Sequence, residues 1–300
     1  MKIFKDCSIL TMPRFSPVVN QAYDQIKSHL THDHLWVRLI SCQLFGLLFS
    51  SQTCDDLFTT PDSYFNYETA DQPTAGHLKA RDLIDAFVIQ LKAPLLDNEL
   101  AEQVIKNLAF MARIVSRHPS AVTDAEGTHD LNTDWLIKKV IKEAKYELVK
   151  KPNETIKRTY IFKWLAAVAM DLGKEKLREH LNLMIPILQR ESLIEKSEDA
   201  RFESLKRLAQ EVLEFIKSTI GVEEFSLIYS KSQMRRMEHK EERKRKLVQA
   251  AVVDPQLAAQ QKIRKMQKKK EAKKRKQSSG AGGGKKRKVA LNENGGDSDF

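Results

Sequence analysis

Apolar residues along this chain recur every three to four positions, and that helical period dominates over any strand-like alternation. From Pro17 to Leu30 the residues Val18, Val19, Tyr23, Ile26 and Leu30 fall on one stripe, with Ser16 placed as an N-cap and Pro17 at the first helical position. Thr31-His32-Asp33 reads as a turn, and Asp33 is expected to cap a helix from His34 to Ser50 that is apolar around most of its circumference. A second pair follows: Gly76 to Lys92, then a break at Ala93-Pro94, then a helix capped by Asp97 and ending at Arg117 before Pro119. The third pair is Thr133 to Val149 with Thr155 to Leu172, separated by Lys151-Pro152-Asn153, and the fourth is Lys174 to Gln189 with Ser197 to Ile220. Helical hairpins repeating at roughly 40 to 50 residues imply a solenoid, because each pair buries its apolar face only by stacking on the next.

Asp33-His34-Leu35-Trp36-Val37-Arg38 resembles the start of the inner helix of a HEAT repeat, which sets a HEAT-like array ahead of a plain bundle. The fold expected is all-α: about four HEAT-like pairs over residues 1–221, a long basic helical extension over 222–277, and a disordered tail over 278–300. Met1 to Ser8 reads like the end of a helix from a preceding repeat, so the array is expected to be truncated at its N-terminal end. Two segments interrupt the helical pattern. Ser51 to Ala75 is polar, with Asp55, Asp56, Asp62, Glu68 and Asp71 beside Tyr64, Phe65 and Tyr67, and is expected to be a surface insertion; Ser120 to Asn132 is expected to be a second loop. Trp36, Trp135 and Trp164 each sit in an apolar helix and are assigned to the core, as is Cys42.

Charge changes the picture at the C-terminal end. The 300 residues carry a formal +11, but residues 1–230 hold 29 Lys/Arg against 32 Asp/Glu, and residues 231–300 hold 22 against 8. Phe225, Leu227, Ile228 and Tyr229 are the last apolar cluster able to dock on a core, and Met234 and Met237 beside Arg235 and Arg236 suit either a partner helix or the end of the solenoid. Lys262 to Lys276 then holds ten bases, Lys262, Arg264, Lys265, Lys268, Lys269, Lys270, Lys273, Lys274, Arg275 and Lys276, against the single acid Glu271. Such density is suited to phosphates, which release counterions when Lys and Arg replace them. Between Tyr229 and Phe300 there is no aromatic residue, so the tail offers no surface on which a base stacks, and it is expected to bind without reading sequence. After the Ser/Gly-rich stretch 278–284, Lys285-Lys286-Arg287-Lys288-Val289 resembles a monopartite nuclear import signal, the ligand of an import receptor.

Other chemistry finds little support. Cys7, Cys42 and Cys54 have no Cys-x-x-Cys spacing, which disfavours a disulfide framework or a Cys-rich zinc site. His29, His32 and His34 cluster at the first turn and are read as turn histidines rather than metal ligands. No nucleophile elbow, phosphate loop or dinucleotide fingerprint occurs, so no enzyme activity, cofactor or metal is expected. The opening Met1-Lys2-Ile3-Phe4-Lys5-Asp6 does not read as a secretory signal, and no apolar run reaches the length of a spanning helix, so no membrane is expected as a partner.

His34-Leu35-Trp36-Val37-Arg38-Leu39 with Leu44-Phe45-Gly46-Leu47-Leu48-Phe49 resembles the C-terminal end of the Down-Regulated In Metastasis family. So do Ala209-Gln210-Glu211-Val212-Leu213-Glu214 and the run Ile220 to Phe225, continuing through Tyr229-Ser230-Lys231 into the basic segment. That family is the large HEAT-repeat component, numbered twenty, of the small-subunit processome. The resemblance implies residence in the nucleus and nucleolus and a non-catalytic scaffold role in small-subunit ribosome biogenesis. It also implies pre-ribosomal RNA, the U3 small nucleolar ribonucleoprotein and processome proteins on the solenoid surface as partners. Without it, the residues equally suit a nuclear adaptor or chromatin-associated protein with a nonspecific nucleic-acid-binding tail.

Overall fold

The structure, a computed structural model, describes residues 17–60, 63–66, 75–93, 96–124, 127–151, 154–194, 199–256 and, within 259–271, all but 261, 265 and 269. The expected Ser16 cap and the reading of Met1 to Ser8 lie outside them. The helices with defined bounds are α1 (Pro17–His29), α2 (Leu35–Ser51), α3 (Cys54–Thr59), α4 (Ala75–Gln90), α5 (Asn98–Arg117), α6 (Thr133–Lys150), α7 (Ile156–Ser192), α8 (Ala200–Ile220) and α9 (Val222–Val253). Between α5 and α6 a hairpin pairs β1 (Ser120–Asp124) with β2 (Gly127–Leu131), antiparallel, Ser120 opposite Leu131. The chain divides into two compact units, Met1–Met234 and Arg235–Phe300.

The first unit is an all-α stack of helical pairs. Each helix packs on its sequence neighbour, α1 on α2, α4 on α5 and α6 on α7, and the second members also pack on one another, α2 on α5 and α5 on α7. The stacked second helices carry the core: Leu39, Cys42, Phe45, Leu48 and Phe49 of α2 lie against Leu100, Val104, Leu108 and Met111 of α5, and these against Ile161, Trp164, Leu165 and Val168 of α7, all buried. First members are linked at their exposed edges by ion pairs instead. Lys27 of α1 reaches Asp82 of α4 at 3.4 Å, and Lys139 of α6 reaches Asp85 of α4. Solvated pairs of this kind contribute little stability and set the spacing of helices whose packing lies elsewhere.

Helix ends follow from local chemistry. Asp97 accepts a 2.9 Å hydrogen bond from the Leu100 N–H, and Asn132 and Asp199 cap α6 and α8 in the same way, satisfying amides that a helix start leaves unpaired. Gly173, at φ 64°, interrupts α7 at the expected boundary between Leu172 and Lys174. Gly221, at φ 101°, separates α8 from α9; both conformations lie where a Cβ is strained.

Four expectations need correction. Asp33 does not cap α2: His34 does, its Nδ1 accepting from the Trp36 N–H at 3.3 Å. Trp36 is 61% exposed, whereas Trp164 is fully buried and Trp135 is half-buried on the core edge. A helix apolar on nearly every side gives no sign of which side meets water, and α2 turns Leu39, Cys42 and Phe45 inward. The 51–75 segment is not a plain surface insertion either. It contains α3, and Tyr64 and Phe65 are fully buried, Tyr64 lying 5.8 Å from both the Tyr23 and Phe45 rings in an edge-on cluster that also takes in Phe87. Aromatic pairs of this geometry contribute about 0.5 to 1.5 kcal/mol each beyond the area they bury. Finally, Ser120 to Asn132 holds the β-hairpin, whose strands contact α4 and α6.

Candidate nucleic-acid interface

Helix α9 begins on the folded body and changes character along its length. Phe225 is buried, Ile228 and Tyr229 pack against the core, and the Ser232 hydroxyl donates to Gln189 Oε1 at 3.1 Å. Arg178 of α7 meets Glu224 at 2.8 Å. Among the described residues from Arg235 onward nothing apolar is buried, and Arg235, Arg236, Lys240, Arg243, Lys244, Arg245 and Lys246 are exposed. What sustains helix here is intrinsic propensity and pairing within the helix. Glu242 joins Lys246 at 2.7 Å, and that ammonium holds the Glu242 carboxyl below the usual carboxylate range.

Of the ten bases singled out further on, Lys262, Arg264, Lys268 and Lys270 are described; each is helical and exposed. Lys265, Lys269, Lys273, Lys274, Arg275 and Lys276 lie outside the described residues, as do the whole import motif Lys285, Lys286, Arg287, Lys288 and Val289. Ile263 and Met266, the apolar residues between them, are more than half exposed. The described part of the segment is therefore a helix with solvated cations and no buried apolar stripe. Its chemistry is that of a point-charge array: ammonium and guanidinium groups that neutralise phosphates at any register.

A second gathering of charge, in the body, is not visible in the sequence. Arg158 is fully buried and bonds Glu147 of α6 at 3.0 Å and Glu191, at the end of α7, at 2.8 Å, while its guanidinium carbon lies 6.0 Å from the Phe202 ring of α8. Glu147 also accepts from the backbone N–H groups of Lys157 and Arg158, at 3.2 and 3.0 Å. A side chain eleven residues upstream thus caps α7, whose N-cap residue Thr155 makes no side-chain cap. Burial pushes the Glu147 carboxyl up, against the opposing pull of Arg158 and the two amides.

The turn histidines use their ring nitrogens locally: His32 Nδ1 accepts from the His34 N–H at 3.0 Å and His34 caps α2. Among the described residues no three His, Cys, Asp or Glu side chains converge as metal ligands, and no helix is long and apolar enough to cross a membrane. Cys42 and Cys54 are buried free thiols, and burial pushes the Cys42 thiol up to about 12.

Comparison with known proteins gives two findings. A family model described as "Small subunit processome component 20 homolog, C-terminal" matches residues 13–279. A curated relative, the "U3 small nucleolar RNA-associated protein 20" of Schizosaccharomyces pombe, is 26% identical over 231 residues, which are 76% of this chain. The chain spans 8% of that relative's length.

Proposed function

The chain belongs to the family of small-subunit processome component 20 homologues, matching its C-terminal region, and from that premise we propose that it is a non-catalytic subunit of small-subunit ribosome biogenesis. In this reading the helical stack is a scaffold for processome proteins, and the basic extension contacts pre-ribosomal RNA in the company of the U3 small nucleolar ribonucleoprotein. The observation that carries the RNA role is the separation of charge: 22 bases against 8 acids after residue 230, following a body with a slight excess of acid. Charge of this density in a helix with no apolar stripe suits a polyanion and leaves a membrane surface without the apolar face it requires. The scaffold role is supported by the repeat stack itself, whose faces are available to partners along its length.

Nuclear and nucleolar residence follows from the same reading, with Lys285 to Val289 as the segment an import receptor takes. Crosslinking the tagged chain in cells and sequencing the bound RNA tests the assignment. Enrichment of precursor small-subunit rRNA and U3 RNA is expected, and recovery of DNA or unrelated transcripts alone would move the protein to a chromatin or adaptor role. Removing Lys285 to Val289 together with Lys262 to Lys276 is expected to leave the chain cytoplasmic by imaging. Unchanged nuclear signal would place the import determinant elsewhere.

A further inference from the structure

The body has a cleft of its own, bounded by the end of α4, by α6 and by the first turns of α7, and enclosing about 1110 Å³. Six bases and three acids line it, in a body where acids otherwise outnumber bases. The acids are already engaged. Glu147 belongs to Arg158 and the start of α7, Glu154 pairs with Lys151 at 3.0 Å, and the buried Glu143 lies between two ammonium groups, Lys92 at 3.6 Å and Lys157 at 3.8 Å. Lys142 and Lys163 are exposed and make no ion pair among the described residues; the neighbouring Glu102 is held by Lys106 at 2.7 Å. Two aromatic rings complete the lining. Tyr146 is 53% exposed, with the Lys157 ammonium 5.7 Å from its centroid, and Tyr160 carries Lys163 at 4.8 Å.

Unpaired lysines beside an exposed ring are what the tail lacks. We propose that this cleft binds a short single-stranded RNA segment, with phosphates on Lys142 and Lys163 and an unstacked base on the Tyr146 ring. The proposal rests on the RNA role assigned above and deepens it. A duplex keeps its bases stacked away from Tyr146, so it forfeits the ring contact, and an acidic peptide meets the lysines but has no base to place there. The exposed ring therefore favours unpaired nucleic acid over either. Lys157 lies on the inner wall of the cleft, where burial pulls its ammonium below the usual lysine range against the opposing pull of Glu143.

The test uses the full chain with Lys268, Lys269, Lys270, Lys273 and Lys274 changed to Gln, so that the cleft is read above a weakened tail. The probes are a fluorescent uridine-rich RNA of about twelve nucleotides and its duplex, with polyglutamate as competitor. The expected result is retained binding that prefers the single strand. Adding Lys142→Gln with Lys163→Gln abolishes that preference and weakens single-strand binding about tenfold, Tyr146→Ala alone does so to a similar extent, and Tyr146→Phe keeps affinity. Equal binding of strand and duplex, unaffected by the cleft substitutions, would overturn the proposal, and polyglutamate displacing RNA as well as unlabelled RNA does would assign the cleft to an acidic protein. Failure of the tail reading registers separately, as an unchanged salt dependence when the five tail lysines alone are replaced.

Discussion

Around Arg158 one guanidinium meets two carboxylates with water excluded, whereas among the described residues beyond Lys231 basic side chains stand in solvent with few acids near them. The residue types are the same and their uses are opposite. Around Arg158 the cation is matched to acids from two helical segments, so the charge holds α6, both halves of α7 and α8 in one arrangement and has little left to offer a ligand. In the described part of the tail most cations are unmatched, so they keep their full interaction with a polyanion. A count of basic residues alone would credit both regions with similar capacity; the placement of acids separates them.

The sharpest way to break this contrast is Arg158→Met. It removes the shared cation and leaves two buried carboxylates, at a cost of about 3 to 5 kcal/mol, read as a fall in denaturant midpoint. The cost depends on pH with a definite sign. Burial already raises the folded pKa of Glu147 above its ordinary 4.5, and losing the guanidinium raises it further. A carboxyl whose folded pKa is raised is least costly to bury below its unfolded pKa, and the penalty grows as pH climbs through the folded value. The variant is therefore expected to regain stability relative to the parent below about pH 4.5, and adding Glu147→Gln and Glu191→Gln should recover much of the loss at neutral pH. A penalty that is flat with pH would mean that Arg158 acts through packing on Phe202 and not through charge.

In the tail the matching change acts on binding and leaves folding alone. Replacing Lys268, Lys269, Lys270, Lys273 and Lys274 with Gln is expected to leave the melting temperature unaltered. RNA affinity at low salt should fall about a hundredfold, or ~2.7 kcal/mol, and the slope of log affinity against log salt should flatten by about three. Sequence preference should not change, because phosphate contacts carry no base information. Loss of discrimination between cognate and scrambled RNA would show that the segment reads sequence after all.

The helical pairs were legible in the sequence because burial of one stripe imposes a period of 3.6, and Pro, Gly and Asp mark where it stops: Asp97 and Gly173 stand where they were expected. The tail's charge was equally legible, since composition needs no partner to be recognised. Long-range pairing was not. Glu147 and Arg158 are eleven residues apart and Arg158 and Glu191 thirty-three, outside the three- and four-residue spacings that reveal helix pairs. The cleft of Lys92, Lys142 and Lys163 is assembled from the turn after α4, from α6 and from α7 in the same non-local way. Tyr64 and Phe65 were assigned to the surface because acids surround them in sequence, while in space they close the end of the core between α1 and α2.

The smallest expected effect distinguishes two tryptophans that the sequence treats alike. Trp164 is fully buried at the centre of α7, so Trp164→Ala removes a large side chain from a packed layer and should cost about 3 to 5 kcal/mol. Trp36 is 61% exposed, and Trp36→Ala should cost less than about 1 kcal/mol, a melting shift of about 2 to 4 °C at most. Trp164 also has a buried indole nitrogen with no hydrogen-bond partner among the described residues, so Trp164→Phe gives up no polar contact seen there and should be far milder than the alanine change. Paired thermal melts of the three variants decide the matter. If Trp36→Ala destabilised as much as Trp164→Ala, α2 would have to present its other face to the core, and the stacking of α2 on α5 through Phe49 and Phe110, 4.5 Å apart, would be wrong.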